Sequence, residues 1–120
     1  MERNPSTGPI RVLRALRASF NGYRGALKRE AAFREELVVA LVVIPLGLYF
    51  GKNGVERALL VGPMVLVLVV ELLNSAIETT VDRVGLERHE LSGLAKDMGS
   101  AAVLTSFLLL GLNWLLVLCF

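Results

Sequence analysis

Five polar residues recur at helical spacing within an otherwise apolar stretch: Glu71, Asn74, Ser75, Glu78 and Asp82. At about 100° per residue they sit at roughly 0°, 300°, 40°, 340° and 20°, so one stripe about 100° wide holds them all. A carboxylate deep in a membrane-spanning helix costs about 2.5–3.5 kcal/mol on insertion scales, and such residues face a protein interior or a water-filled site. Asn74 or Ser75 taken singly reads as hydrogen-bonding glue between helices. Two glutamates on the same stripe read as chemistry. Glu71 lies deepest, where desolvation suits a carboxylate to general-base work near neutral pH. Glu78 lies one turn from the boundary, where a magnesium ion can bind and keep its waters, and Glu30 is placed to be a second oxygen ligand.

The polar stretch 82–97 offers the parts of a phosphate site: Lys96 as a point charge, Asp97 as an acceptor, and Gly93 and Gly99 for close backbone approach. It holds neither a P-loop nor a G-x-G-x-x-G fingerprint. Any nucleotide must therefore bind in an unconventional site. His89, the single histidine, reads on its own as a surface residue.

The composition says what kind of element must carry these groups. The chain has 120 residues, is 54% hydrophobic and 20% charged, and allows one domain at most. A soluble chain this short buries only about 60–70% of its surface and cannot hide an apolar half that is clustered. Here it is clustered, because 37–51, 58–70 and 98–120 contain no charged residue. The pattern predicts an all-α membrane protein. Residues 1–9 read as a frayed tail. Residues 10–29 read as an amphipathic surface helix, with Ile10, Leu13, Leu16, Phe20, Tyr23 and Leu27 at spacings of three and four, and Gly22 and Gly25 weakening it midway. Three transmembrane helices follow at 31–51, 57–81 and 98–120, the first reaching spanning length only by borrowing the turns that carry Arg34, Glu35 and Glu36.

Eight of the thirteen Lys and Arg fall before position 37. Such a run suits an anionic lipid surface, and without an aromatic platform behind it nucleic acid is not the expected partner. The positive-inside rule places the N-terminus and the 82–97 loop in the cytoplasm. The interruption of residues 10–29 by Arg and Lys argues against a cleaved signal peptide. A lone Cys119 permits no intrachain disulfide. Trp114 reads as a membrane anchor, Asn113 as packing glue, and Gly47, Gly62 and Gly111 as points of close helix approach. Three spans form too thin a bundle to shield two glutamates, which points to a homo-oligomer with sites between chains.

The segment Val70-Glu-Leu-Leu-Asn-Ser-Ala-Ile-Glu78, continuing Thr-Thr-Val-Asp-Arg83, resembles the signature of the small bacterial integral-membrane diacylglycerol kinases. So do the stretch from His89 to Val103, which contains Lys-Asp-Met-Gly-Ser-Ala-Ala, and Glu30-Ala-Ala-Phe-Arg34. Ala18 and Arg88 depart from the pattern, each standing where relatives carry an aromatic. The resemblance implies a homotrimer of three-span subunits in the bacterial inner membrane. Its implied activity is transfer of the γ-phosphoryl of MgATP to diacylglycerol, giving phosphatidic acid. By matched motif it implies Glu71 as the base, Asn74 as a positioning group, and Glu30 and Glu78 as ligands of Mg2+. Arg11, Glu87, His89, Lys96 and Asp97 are implied at the nucleotide, and Arg24, Glu36 and Ser100 at the lipid substrate. Undecaprenol, the acceptor of Gram-positive relatives, is the alternative within this class. From other classes, a small proton-coupled transporter would leave Lys96-Asp97 without a purpose, and a scaffold would leave Glu71 and Glu78 without one.

Overall fold

The computed structural model describes residues 7–120, and among them every regular element is helical: α1 (Pro9–Arg29), α2 (Ala31–Phe50), α3 (Gly54–Val84) and α4 (Glu90–Cys119). Of the expected tail at 1–9, residues 1–6 lie outside the described residues. Pro9 opens α1 at the position where a missing N–H removes no helical hydrogen bond. The helix then runs through Gly22 and Gly25 without a break. Its apolar positions, from Ile10 to Leu27, are all exposed, and only Ala26 is buried.

α1 passes into α2 through a single extended residue, Glu30, with φ −112° and ψ 105°. The Glu30 N–H still closes α1 on the Ala26 carbonyl at 2.9 Å, and Arg34 Nη1 donates to the Leu27 carbonyl at 2.7 Å. Lys28 and Arg29 add positive charge at the negative end of the helix dipole. At its far end α2 stops at Gly51, over which the Arg57 side chain folds so closely that a Cβ would collide with it. Arg57 Nε donates to the Leu48 carbonyl at 3.1 Å, capping one of the last acceptors of α2. α3 starts on Asn53, whose Oδ1 accepts from the Glu56 N–H at 2.9 Å while the Glu56 carboxylate accepts from the Lys52 N–H at 3.0 Å.

α3 is central and packs on both α4 and α2. Ala40, Met64, Val67 and Leu110 form the apolar core, flanked by Val43, Ile44, Leu68, Phe107 and Trp114. α3 and α4 are long and apolar enough to cross a membrane. At 31 and 30 residues they extend to about 45 Å, beyond the ~30 Å hydrocarbon layer, so their ends reach the polar boundary. α2 has 20 residues, but Arg34, Glu35 and Glu36 occupy its first turns.

Gly47 touches Leu60 and Val61 of α3, whereas Gly62 and Gly111 meet no other helix among the described residues of this chain. The closeness of α3 and α4 has another origin. Pro63 lies inside α3 and has no N–H for the Leu59 carbonyl one turn earlier. Asn113 Nδ2 of α4 donates to that carbonyl at 3.0 Å, and Trp114 Nε1 donates to the adjacent Leu60 carbonyl, also at 3.0 Å. A neighbouring helix thus satisfies the backbone that proline leaves open, as a low-dielectric environment demands. Replacing Asn113 by Leu is therefore expected to destabilise the fold by about 1–2 kcal/mol with Pro63 present, and by much less in a Pro63→Ala background. Denaturation of the four proteins of this double-mutant cycle in detergent measures the difference.

Candidate functional site

The stripe read from the sequence folds inward over its deep half. Glu71, Asn74 and Ser75 are 5%, 8% and 8% exposed, Glu78 is half-buried, and Asp82 is exposed at the end of α3. The reason is geometric: this face of α3 looks at α2 on one side and α4 on the other. α2 contributes Glu36, 7% exposed, to the neighbourhood of Glu71. Ser75 Oγ donates to Glu71 Oε2 at 3.5 Å, a long bond between adjacent turns of one helix. Asn74 Nδ2 donates to Glu78 Oε1 at 3.2 Å. Two buried atoms of this layer, Glu36 Oε2 and Asn74 Oδ1, have no partner among the described residues.

α4 reaches the layer through Gly99. Its backbone lies so near Asn74 that Oδ1 occupies the space a Cβ would need. In this chain Gly99 thus serves the packing of α4 on Asn74, a use different from the phosphate approach expected of it. At Gly93 the surrounding space is open.

Beyond the buried layer, Lys96 Nζ of α4 donates to Asp82 Oδ1 of α3 at 2.8 Å. Lys96 precedes the uncharged stretch 98–120, and its bond to the Asp82 carboxylate holds its ammonium above the ordinary lysine range. Asp82, read from the sequence as a member of the stripe of Glu71 and Glu78, is the partner of Lys96, a pairing the spacing alone does not give. His89 caps α4, its Nδ1 accepting from the Leu91 N–H at 3.1 Å, which leaves Nε2 for any ligand.

Two clefts open beside these groups. One, of about 810 Å³, runs between α1 and α3 and is lined by Tyr23, Arg24, Lys28, Arg29, Glu30, Ser75, Thr79 and Thr80 among others. It brings Arg24 and Glu30 into the same cleft as Ser75, the partner of Glu71. The other, of about 510 Å³, is shallow and lined by Arg88, His89, Glu90, Gly93, Leu94 and Asp97. It unites His89 with Asp97, while Lys96 faces Asp82 instead. Arg11 is exposed near the start of α1, and Glu87 and Ser100 are exposed outside both clefts.

No group of three or more His, Cys, Asp or Glu among the described residues could by itself hold a metal ion. That donor set excludes an all-protein cage but fits Mg2+, which takes one or two carboxylates and completes its shell with water and substrate phosphates. Glu78 is available for it, since among the described residues Asn74 engages its Oε1 and leaves the second carboxylate oxygen to a ligand.

Buried carboxylates held between helices long enough to cross a bilayer, with a basic and hydroxyl-lined cleft beside them, define a membrane-embedded enzyme. The comparisons give its family. The sequence profile of the prokaryotic diacylglycerol kinases matches residues 17–118. The diacylglycerol kinase of Haemophilus influenzae is 44% identical over 109 residues, covering 91% of this chain and 92% of that protein. That of Escherichia coli is 45% identical over 115 residues, covering 96% and 94%. That of Pseudomonas aeruginosa is 46% identical over 112 residues, covering 93% and 91%. The chain belongs to the prokaryotic diacylglycerol kinase family and is a lipid kinase.

The contact of Gly99 with Asn74 gives a direct test of how the layer is held. Gly99→Ala is expected to displace the Asn74 amide and loosen its bond to Glu78, at a cost of about 1–3 kcal/mol in stability, the usual range for overpacking. Turnover should fall with it, and paired kinase assays and thermal denaturation read both effects.

Proposed function

We propose that this chain transfers the γ-phosphoryl group of ATP to the hydroxyl of diacylglycerol, giving phosphatidic acid at the cytoplasmic face of the bacterial inner membrane. The observation that carries the reading is Glu71, a carboxyl 5% exposed on a helix fit to span the bilayer. A lipid hydroxyl is a weak nucleophile until a positioned base takes its proton. Phosphoryl transfer otherwise needs alignment and charge neutralisation.

In this reading the lipid enters sideways from the bilayer into the α1–α3 cleft, where Arg24, Thr79 and Thr80 offer polar contacts to its head. Its hydroxyl proton passes to Glu71, its oxygen bonds to the γ-phosphorus, and the bond from that phosphorus to the departing ADP breaks. The resemblance also sets Glu36 and Ser100 at the lipid substrate. Asn74 orients Glu78 through its amide. Glu30 and Glu78 would hold Mg2+, whose charge offsets that of the phosphates when bound. The nucleotide lies across the α3–α4 junction, held by Lys96 and Asp97 with Glu87, His89 and Arg11. Lys96 exchanges its Asp82 partner for phosphate oxygens as the nucleotide arrives.

The same reading places α1 along the lipid surface, its exposed apolar face down and its arginines toward the headgroups. It makes α2 a third span that is completed by packing. Three copies of the chain enclose the sites, and the N-terminus lies in the cytoplasm. The large exposed apolar area of α4, with Leu104, Leu108 and Leu115 all more than half exposed, suits both lipid and neighbouring subunits.

Labelled ATP, magnesium and mixed micelles test the activity, with diacylglycerol and undecaprenol offered separately. Labelled phosphatidic acid is the expected main product. Preferred labelling of undecaprenol would change the acceptor, and no labelling of either by folded protein would remove the reading. Glu71→Gln is expected to lower kcat by about 10²–10⁴-fold, the range for loss of a general base, while the oligomer stays folded.

A further inference from the structure

The cleft between α1 and α3 has two walls of opposite hydrogen-bonding character. On the α3 wall, Thr79 Oγ1 donates to the Ser75 carbonyl and Thr80 Oγ1 to the Ala76 carbonyl, both at 2.8 Å. A hydroxyl has one hydrogen to donate and two lone pairs to accept with. With its hydrogen held by the backbone, each threonine oxygen can only accept. This wall therefore suits a ligand that brings a donor of its own.

The α1 wall carries Arg24, Lys28 and Arg29, side chains that only donate. All three are exposed, and among the described residues none is paired with a carboxylate. α1 itself contains no Asp or Glu. Arg24 and Lys28 stand one turn apart, a spacing at which like charges destabilise a helix. The helix dipole gives a reason for Lys28 and Arg29 in the last turn, but its influence fades before Arg24. Glu30 is the single carboxylate among the lining residues, so three positive charges face one negative. That excess has no counterpart in diacylglycerol, which is neutral.

Phosphoryl transfer changes what the lipid presents to these walls. Before it, the lipid hydroxyl is an uncharged donor. The hydroxyl proton then passes to Glu71, its oxygen bonds to the γ-phosphorus, and the bond from that phosphorus to ADP breaks. The donor is gone, and the lipid now carries a phosphomonoester of about −1.5 to −2 charge with strong acceptor oxygens. Thr79 and Thr80 no longer have a partner in it, whereas Arg24, Lys28 and Arg29 do. We propose that the α1 wall is a binding site for the terminal phosphate of phosphatidic acid, so that one cleft holds the substrate by α3 and the product by α1. The inference rests on diacylglycerol being the acceptor. It makes phosphatidic acid an inhibitor that competes with diacylglycerol.

Binding of labelled phosphatidic acid to the full-length protein, in uncharged detergent micelles and without ATP, tests the site. Lys28→Gln combined with Arg29→Gln is expected to weaken binding about tenfold, as removal of two cations at a lipid surface should. Phosphatidylmethanol, a phosphodiester with a single negative charge, should bind the parent less tightly and lose less. In the kinase assay, the ratio of the phosphatidic acid inhibition constant to the KM for diacylglycerol should rise about tenfold. Thr79→Val with Thr80→Val should do the reverse, raising that KM and leaving phosphatidic acid binding in place. The proposal is overturned if the Lys28 and Arg29 variant binds phosphatidic acid like the parent, or if both lipids weaken alike. A KM for ATP that rises in step also overturns it, since the cations then serve the nucleotide. Should the variant not fold, parent affinity for phosphatidic acid that stays constant as salt is raised overturns it instead. A chain that binds phosphatidic acid through these cations but phosphorylates no lipid keeps the anion site and loses the kinase reading. An active kinase whose variant binds like the parent loses this inference alone.

Discussion

A membrane helix satisfies its own backbone, but the polar side chains it carries at depth must find their partners within the protein, along the same helix or on its neighbours. In this chain that constraint falls on α3. Its inward face carries Glu71, Asn74 and Ser75, and Pro63 leaves open the Leu59 carbonyl about three turns earlier. The rest of the fold supplies what that face lacks. α2 brings a carboxyl to the neighbourhood of Glu71, and α4 brings a backbone without a side chain to Asn74 and an amide to Leu59. Remove the polar face of α3, and the three helices would retain only the apolar cluster around Met64 and Val67, which gives little orientation in an apolar solvent.

The same demand explains why the site sits where it does. The polar layer occupies the half of α3 nearest the α1–α2 break and the α3–α4 junction, where buried and half-exposed groups follow one another along one face. Glu71 is nearly sealed, Glu78 is half-buried, and Asp82 with Lys96 is open. A graded passage from dry to wet along about three turns of helix is well suited to joining a water-soluble phosphate donor to an acceptor that never leaves the lipid. In the proposed reaction each participant meets the other at the depth its own solvation permits.

Much of this was legible in the residue pattern, for a definite reason. Glu71, Asn74, Ser75 and Glu78 share an angular stripe, and helical geometry converts spacing directly into a common face. Burial then follows from the cost of exposing that face to lipid. The resemblance to known kinases supplied roles that spacing alone could not, Glu36 among them. What stayed hidden were contacts between residues remote in sequence. Nothing in the order of residues pairs Asn113 with Leu59, or tells that the open side of Gly99 would be filled by Asn74. The capping use of His89 was local and could have been found, since it directly precedes an acidic first turn. The charged first turns of α2 also leave it less distinct as a span than α3 or α4.

The arrangement at Pro63 gives the chain's history a direction. A mutation that removes Pro63 first restores a backbone N–H to the Leu59 carbonyl, and Asn113 is left as a spare amide that its partly exposed position tolerates. A mutation that removes Asn113 first leaves that carbonyl without a donor in an apolar setting. The two substitutions reach the same final sequence, but one intermediate is close to neutral and the other is impaired. Lineages can lose this pair in one order and not the other, and can gain it only if the asparagine arrives before the proline.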